Sequence, residues 1–522
     1  MNEEITLIQY NEIYYKLECS KSVMVKLRDF FSLRAPGFIF NPLYKNGLWN
    51  GFICLFKGNL FPKGLIEDLR VFCQRSNIKL NEPSILSLKS ISESRIDEIF
   101  EETKLSDVNK KTGEVFPITL RDYQADAIKT AITKKHHLIV SQTSTGKTLM
   151  IYMIVKILQE NMLFSPYPFQ KILLIVPSIT LVEQMYGDFI NYSKLNGWDV
   201  EGICTKMHSK AKPDFNKQVL ITTWQSLMDK EESFFRQYGC VILDEAHKIG
   251  KTNTKEAKEV EKQINQCVNA EWLLGFTGTM LDELLYRKKI KSFFSGYKEV
   301  TSYQDAISAG NICDLNVNAL QLNYTTGFEG KMRNYKNEKS FIMSSKRRND
   351  FIKKLLLKNK GNQLLLFMEI KKHAKVIYEA IKSDPAFVDY KIILLDSSSK
   401  VSVREDVKKL LETNNKVIVF GTYALLGTGW SVNNIWNVVF VAPLKSKVAV
   451  LQSIGRGLRL IPGQNKVCNI WDIVDKFEYK NILYKHFQQR EKYYKENQFR
   501  YKIYNFRAPD ISTNKIEEEL FG

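Results

Sequence analysis

Paired cysteines are missing from this chain: its eight cysteines, at 19, 54, 73, 204, 240, 267, 313 and 468, stand singly with no CxxC pair. That pattern excludes a disulfide scaffold and predicts reduced thiols, several of them inside apolar runs. Histidine is scarce, with six in the chain and none at metal-ligand spacing with a cysteine or another histidine, which argues against a structural zinc site. Long hydrophobic runs are absent too. The longest, LMIYMIVKIL at 149–158 and ILLIV at 172–176, fall short of the ~20 residues that cross a bilayer, so no membrane span is expected. The opening MNEEITLIQYNEIYYKLEC carries acids where a secretory signal places its basic region, and an intracellular protein is expected. No short-period repeat is visible. With 44% hydrophobic and 25% charged residues, wholesale disorder and collagen-like sequence are excluded as well.

What is present is a long, basic chain. Its 522 residues leave room for roughly two to four domains. Lys and Arg number 76 against 57 Asp and Glu, a formal net charge of +19 that suggests a polyanionic partner. Composition alone does not separate DNA from RNA or acidic lipid.

Residues 1–80 read as a small α+β module, with a strand over Ile13 to Glu18, a helix capped by Ser20 and running through Phe31, hairpin-like aromatic segments, and a helix from Leu65 to Arg75. Residues 81–117 turn to Ser, Glu and Lys and are expected to be a linker with one short helix. Over 118–300 the β-rich runs HLIV, ILLIV, VLIT, CVILD and LLGFT alternate with helical patterns, as buried parallel strands do. The rhythm returns in 301–480 with LLLF, IILL, VIVFGT, VVFVA and NIWDIVD. The expected fold class is therefore α/β, two tandem parallel-sheet domains preceded by a small α+β domain. Residues 481–522 are expected to be a basic, aromatic C-terminal helix or tail packed on the second domain.

Three motifs carry chemistry. After HLIV comes Ser141-Gln-Thr-Ser144-Thr145-Gly146-Lys147-Thr148 and then an apolar helix, the strand, loop and helix order of a phosphate site. Ser144, Thr145 and Gly146 would form the turn around the phosphates, Lys147 would pair with the β- and γ-phosphates, and the Thr148 hydroxyl would face Mg²⁺. The strict GxxxxGK(S/T) pattern fails only at its first position, Ser141. Downstream, CVIL ends in Asp244-Glu245-Ala246-His247, two carboxylates at the C-terminal edge of a buried strand, where ligand sites sit. Asp244 can hold Mg²⁺ and Glu245 can orient the attacking water. In the second domain Gln452-Ser-Ile-Gly-Arg456-Gly-Leu-Arg459 places two arginines three apart, expected on one helical face, suited to transition-state charge on a transferred phosphoryl group.

These residues, in this order, resemble the superfamily-2 helicases, which implies two RecA-like motor domains that use ATP and Mg²⁺. By that resemblance Arg121-Asp-Tyr-Gln124 is similar to the adenine-reading Q motif, with Gln124 on the base. Ser178, Thr223 and Thr422 fall in motifs that face nucleic acid. His247, Thr277, Thr279 and Gly429 match positions that couple nucleotide state to domain closure, and Gln452 belongs with Arg456 and Arg459 in the last motif. RDFFSLRAPGFIFNPLYKNGLWNGFI, TSTGKT, GTGWSV, LKSKVAVLQSIGRGLR and WDIVD resemble the UvsW-type recombination helicases of large tailed bacteriophages across almost the whole chain. That implies an ATP-driven monomeric motor on branched or duplex DNA or RNA–DNA hybrids: forks, D-loops, R-loops and Holliday junctions, in the host cytoplasm. Motif V departs from the family, with Ser431 after Gly429-Trp430 where an Asp is usual, and motif VI reads GRGLR.

Outside the motor, Arg34, Tyr44, Lys45, Trp49 and Lys57 can form a face that stacks on bases, but the favoured expectation puts Trp49 and the phenylalanines in the core of a small domain and leaves DNA binding to the module as a whole. Residues 330–360 hold eleven Lys/Arg and two acids, including Lys346-Arg347-Arg348, either a duplex path or a solvated helix face. Three competitors stand beside the helicase reading. One is the motor of a restriction enzyme, for which no PD…ExK nuclease arrangement is found, one a non-catalytic DNA-binding or annealing protein, and one an RNA-specific remodeller.

Overall fold

In a computed structural model, the residues described are 3–83, 91–109, 112–142, 144–162, 171–250, 254–280, 282–324, 334–367, 373–427, 432–461 and 463–507. They form two compact units, residues 1–141 with 146–300, and residues 142–145 with 301–522.

In the N-terminal module a four-stranded sheet runs in the order Leu60–Pro62, Tyr14–Cys19, Glu4–Gln9, Lys79–Asn81. Ser20 starts the helix Lys21–Phe30 by accepting the Val23 N–H (3.3 Å), and Val23 and Leu27, four apart, point into the core. The helix Ile66–Ser76 buries Leu69, Phe72 and Cys73 and ends on Asn77 in the left-handed region. The core takes Phe31, Phe56, Phe61 and Phe72 but not Trp49, Phe40 or Phe52. The module is fastened to the first motor domain: Glu12 N–H donates to the Val268 carbonyl (3.0 Å), the Tyr14 hydroxyl donates to Asn265 Oδ1 (2.7 Å), and Asp68 pairs with Lys291 (3.1 Å). Gly64 permits this approach, because a Cβ there would lie 2.0 Å from the Lys291 carbonyl oxygen.

The first motor sheet has seven parallel strands, ordered Cys204–Met207, Val219–Thr223, Lys171–Val176, Tyr238–Asp244, Trp272–Thr277, His136–Val140, Tyr297–Glu299. Alternate strand residues serve two cores. Ile139, Ile172, Leu174, Ile221 and Ile242 meet the helices Asp122–Lys134, Lys147–Met162 and Ile179–Ser193 on one face, while Leu138, Leu173, Leu220 and Val241 meet Lys255–Gln266 and Leu284–Phe294 on the other. Burial on both faces is why these strands read as continuous apolar runs. The stretch expected as a linker contributes to this domain: helix Glu93–Glu102 lends Ile96 and Ile99 to the first core, and Ser106–Val108 pairs with Val115–Pro117 in a short antiparallel ribbon. Only two buried residues mark that helix, too few to stand out as a period.

The second sheet is also seven-stranded and parallel, ordered Lys391–Leu394, Val417–Thr422, Gln363–Phe367, Asn437–Phe440, Val467–Phe477, Asp314–Tyr324, Arg500–Arg507. Two seven-stranded parallel sheets in tandem behind a small α+β domain are the RecA-like motor architecture. The basic aromatic C-terminal stretch divides into helix Ile482–Glu496 and the edge strand Arg500–Arg507, so it completes the second motor sheet. Two buried ion pairs lock this domain. Arg348 donates to both carboxylate oxygens of Asp475 (2.8 and 3.0 Å) and to the Val441 carbonyl (2.6 Å). Arg490 forks onto Asp472 (2.9 and 2.8 Å) and donates to the Leu444 carbonyl (2.7 Å). Arg348 therefore leaves any duplex path, whereas Lys346 and Arg347 remain exposed.

All eight cysteines are described and carry free thiols, six of them buried. Among the described residues no helix is long and apolar enough to cross a membrane.

Candidate nucleotide site

Parallel strands bring their C-terminal ends to one edge, and there the first motor domain gathers its chemistry. Trp272–Thr277 lies between the phosphate-loop strand His136–Val140 and the acidic strand Tyr238–Asp244, in a register that pairs Thr277 with Val140 and Phe276 with Asp244. The Ser141 N–H donates to the Thr277 carbonyl (2.8 Å), continuing the ladder into the loop.

The loop turns through left-handed backbone at Ser144 (φ +72°) and Gly146 (φ +85°). A Cβ on Gly146 would lie 2.2 Å from Gln124 Nε2, so the carboxamide of Gln124 sits directly on the loop. Its Oε1 accepts the Arg121 N–H (3.0 Å), fixing the orientation at the start of helix Asp122–Lys134. The Thr145 hydroxyl donates within the loop to the Gln142 carbonyl (2.7 Å). Lys147 opens the following helix, and its ammonium donates to the Ser141 carbonyl (3.4 Å). Thr148 is the next helical residue.

Burial and then the neighbouring Glu245 carboxylate push the Asp244 carboxyl up to about 6, against the pull of Lys147 and Lys248. Glu245 holds left-handed backbone (φ +54°), an uncommon and strained conformation for a non-glycine residue and one that clusters at functional sites. The adjacent carboxylates of Asp244 and Glu245, with Lys147 close enough to act on Asp244, are hard oxygen donors of the kind a divalent cation takes. Buried His247 sets its Nδ1 3.1 Å from Glu245 Oε2 and 3.1 Å from the Thr277 hydroxyl. Thr277 in turn donates to the Thr279 carbonyl (3.2 Å) and accepts the Thr279 N–H (3.3 Å). Sequence reasoning missed Tyr286, whose hydroxyl donates to the His247 carbonyl (2.9 Å).

The three hydroxyls expected on nucleic acid lie at strand or helix ends and have local partners. Ser178 accepts the Leu181 N–H (3.4 Å), Thr223 bonds Ser226 (3.1 Å), and Thr422 accepts the Leu425 N–H (3.2 Å). In the second unit, helix Lys447–Gly457 carries Gln452 and Arg456. Arg459 lies past its end rather than on the helical face expected from spacing, because the chain leaves the helix at Leu458, whose carbonyl accepts the Cys313 N–H (2.9 Å). Lys466, which no motif marked, is buried and donates to the Arg459 and Asn433 carbonyls (2.8 and 2.7 Å). Gly429 lies outside the described residues.

Three family profiles match in order along the chain: "DNA helicase UvsW, N-terminal" over residues 4–81, "Type III restriction enzyme, res subunit" over 117–282, and "Helicase conserved C-terminal domain" over 347–460. The chain is 28% identical over 509 residues to the ATP-dependent DNA helicase uvsW of Enterobacteria phage T4, spanning 94% of this chain and 96% of that protein. Along its whole length the chain is thus similar to the UvsW-type superfamily-2 helicases. The crystal structure of T4 UvsW aligns over 97% of this chain and 100% of its own, at 25% identity and a TM-score of 0.49. The DNA-bound Type ISP restriction-modification enzyme LlaBIII shares the fold, at 16% identity and a TM-score of 0.56, but the alignment spans only 35% of that enzyme.

Proposed function

We propose that this UvsW-type protein is an ATP-dependent DNA helicase that remodels branched DNA, including forks, D-loops, R-loops and Holliday junctions, in recombination, replication and repair. The observation that carries the reading is the full-length correspondence, in which an N-terminal module of the UvsW type precedes both motor domains. The restriction-motor reading loses ground because the N-terminal module matches the UvsW profile.

In the mechanism, water attacks the γ-phosphorus in line, the bond to the ADP oxygen breaks, and ADP and phosphate leave. Lys147 exchanges the Ser141 carbonyl for β- and γ-phosphate oxygens, and Glu245 accepts a hydrogen bond from the water and aims it. Gln124 presses on the loop beside the nucleotide. Thr148 and Asp244 would hold Mg²⁺, which would supply charge neutralisation at the phosphates. Arg456 and Arg459 stabilise charge on the transferred phosphoryl group. His247 senses the Glu245 carboxylate and passes its state to Thr277 and Thr279. Ser178, Thr223 and Thr422 offer hydroxyls and adjacent backbone N–H groups to strand phosphates.

The test is ATP hydrolysis by purified protein with no nucleic acid, single-stranded DNA, duplex, a synthetic fork, a Holliday junction and RNA in parallel. Branched DNA is expected to stimulate most. Stimulation by RNA alone would favour an RNA remodeller, and none by any of them a binding protein.

A further inference from the structure

The N-terminal module holds an apolar surface that neither its own core nor its docking to the motor uses. Strands Ser32–Arg34 and Phe52–Cys54 pair antiparallel, and the connection between them carries only a 3₁₀ turn, Phe38–Phe40, and one helical turn, Pro42–Lys45. Phe40 is 75% exposed, Leu48 74%, Leu43 52% and Ile39 50%. Exposed apolar groups gathered on one short segment mark an interaction site.

The surrounding charge names the class of partner. Between Asp29 and Glu67 the chain has no acid, while it carries Arg34, Lys45, Lys57 and Lys63. Lys63 is spent on Glu12 (3.4 Å), but Arg34, Lys45 and Lys57 are exposed. The Arg34 guanidinium lies 4.6 Å from the Phe38 ring centre and 4.9 Å from that of Phe52, which keeps a cation at the base of the tip without a carboxylate partner among these residues. An apolar tip with Arg34 at its base and Lys45 within it suits a polyanion that also presents flat apolar faces, which is nucleic acid with unstacked bases.

We propose that the 38–48 tip is a base-stacking site that receives the unpaired bases at the branch point of a DNA junction, with Phe40 and Leu48 against the bases and Arg34, Lys45 and Lys57 toward the flanking phosphates. The inference rests on the helicase reading above and adds to it the place where strands part. Glu12, Tyr14 and Asp68 bind the module that carries the tip to the domain that holds the phosphate-loop strand.

The test uses the full-length protein and a synthetic fork carrying a fluorescent base analogue at the branch point. Wild type, bound without ATP, is expected to change the analogue's emission. Phe40→Ala with Leu48→Ala is expected to abolish that change and slow ATP-driven fork unwinding by about fivefold or more, the scale of one lost stacking contact. Hydrolysis stimulated by plain single-stranded DNA should stay at the wild-type rate, and Phe40→Trp should retain the emission change. Both side chains of the double variant are largely exposed, and its melting temperature checks that the fold is intact. Wild-type emission and unwinding in the double variant would overturn the proposal and leave the tip to a protein or lipid partner. Absence of DNA-stimulated hydrolysis in wild type would fail the motor reading, while the emission signal, read without ATP, still decides the tip.

Discussion

The imidazole Nδ1 of His247 stands 3.1 Å from the Thr277 hydroxyl, tying the acidic strand's turn to the neighbouring strand end. Thr277 is also bonded to both backbone groups of Thr279, so a continuous chain of polar contacts joins Glu245 to residue 279 through two side chains. Thr277→Val removes the hydroxyl at nearly constant volume. Nucleotide binding is expected to survive, while DNA unwound per ATP hydrolysed falls about tenfold, the scale of one buried hydrogen bond. Paired hydrolysis and unwinding assays check this, and an unchanged ratio would remove Thr277 from the coupling.

Glu245→Gln keeps the shape of the side chain and removes its charge. Hydrolysis is expected to fall by ~10²–10⁴-fold, the usual contribution of a positioned base, with ATP still bound. Single-turnover hydrolysis and a fluorescent-nucleotide titration separate the two effects.

Much of the motor was legible because parallel strands buried on both faces leave continuous apolar runs. HLIV, ILLIV, VLIT, CVILD and LLGFT all lie in strands of the first sheet. Strands without such a run escaped notice. Asp314–Tyr324 interrupts its apolar residues with asparagines, and Arg500–Arg507 is a mixture of basic, aromatic and amide residues with one isoleucine at a sheet edge, so it resembles the helix before it in composition. Phosphate-loop and acidic motifs were readable as local strings, but the seat of Gln124 on Gly146 and the grip of Lys466 on Arg459 join distant residues or lie outside any motif. The basic run at 346–348 hid a core residue. Its signal was on the other side, in Asp472 and Asp475, acids inside a buried strand that require cationic partners.

Arg348→Met strands the Asp475 carboxylate in the core. The expected cost is about 3–5 kcal/mol of folding stability, and replacing both residues by apolar ones should recover most of it. Chemical denaturation of the single variant and of Arg348→Met with Asp475→Leu tests the pair.

Burial holds the imidazoles of His136 and His137 down to about 4 and that of His373 to about 3. An unfolded chain takes up these protons at about pH 6.5, which the folded chain refuses, so folding stability falls as pH drops from about 6.5 toward 4. Unfolding midpoints measured across that range are expected to decline, and His373→Asn should make the decline shallower.

Real-time unwinding of a synthetic fork by the full-length protein tests the central claim most directly, with Lys147→Ala alongside. The account predicts strand separation by wild type only with ATP, and none by Lys147→Ala although it binds the fork with near wild-type affinity. Unwinding by Lys147→Ala, or by wild type without ATP, would contradict it.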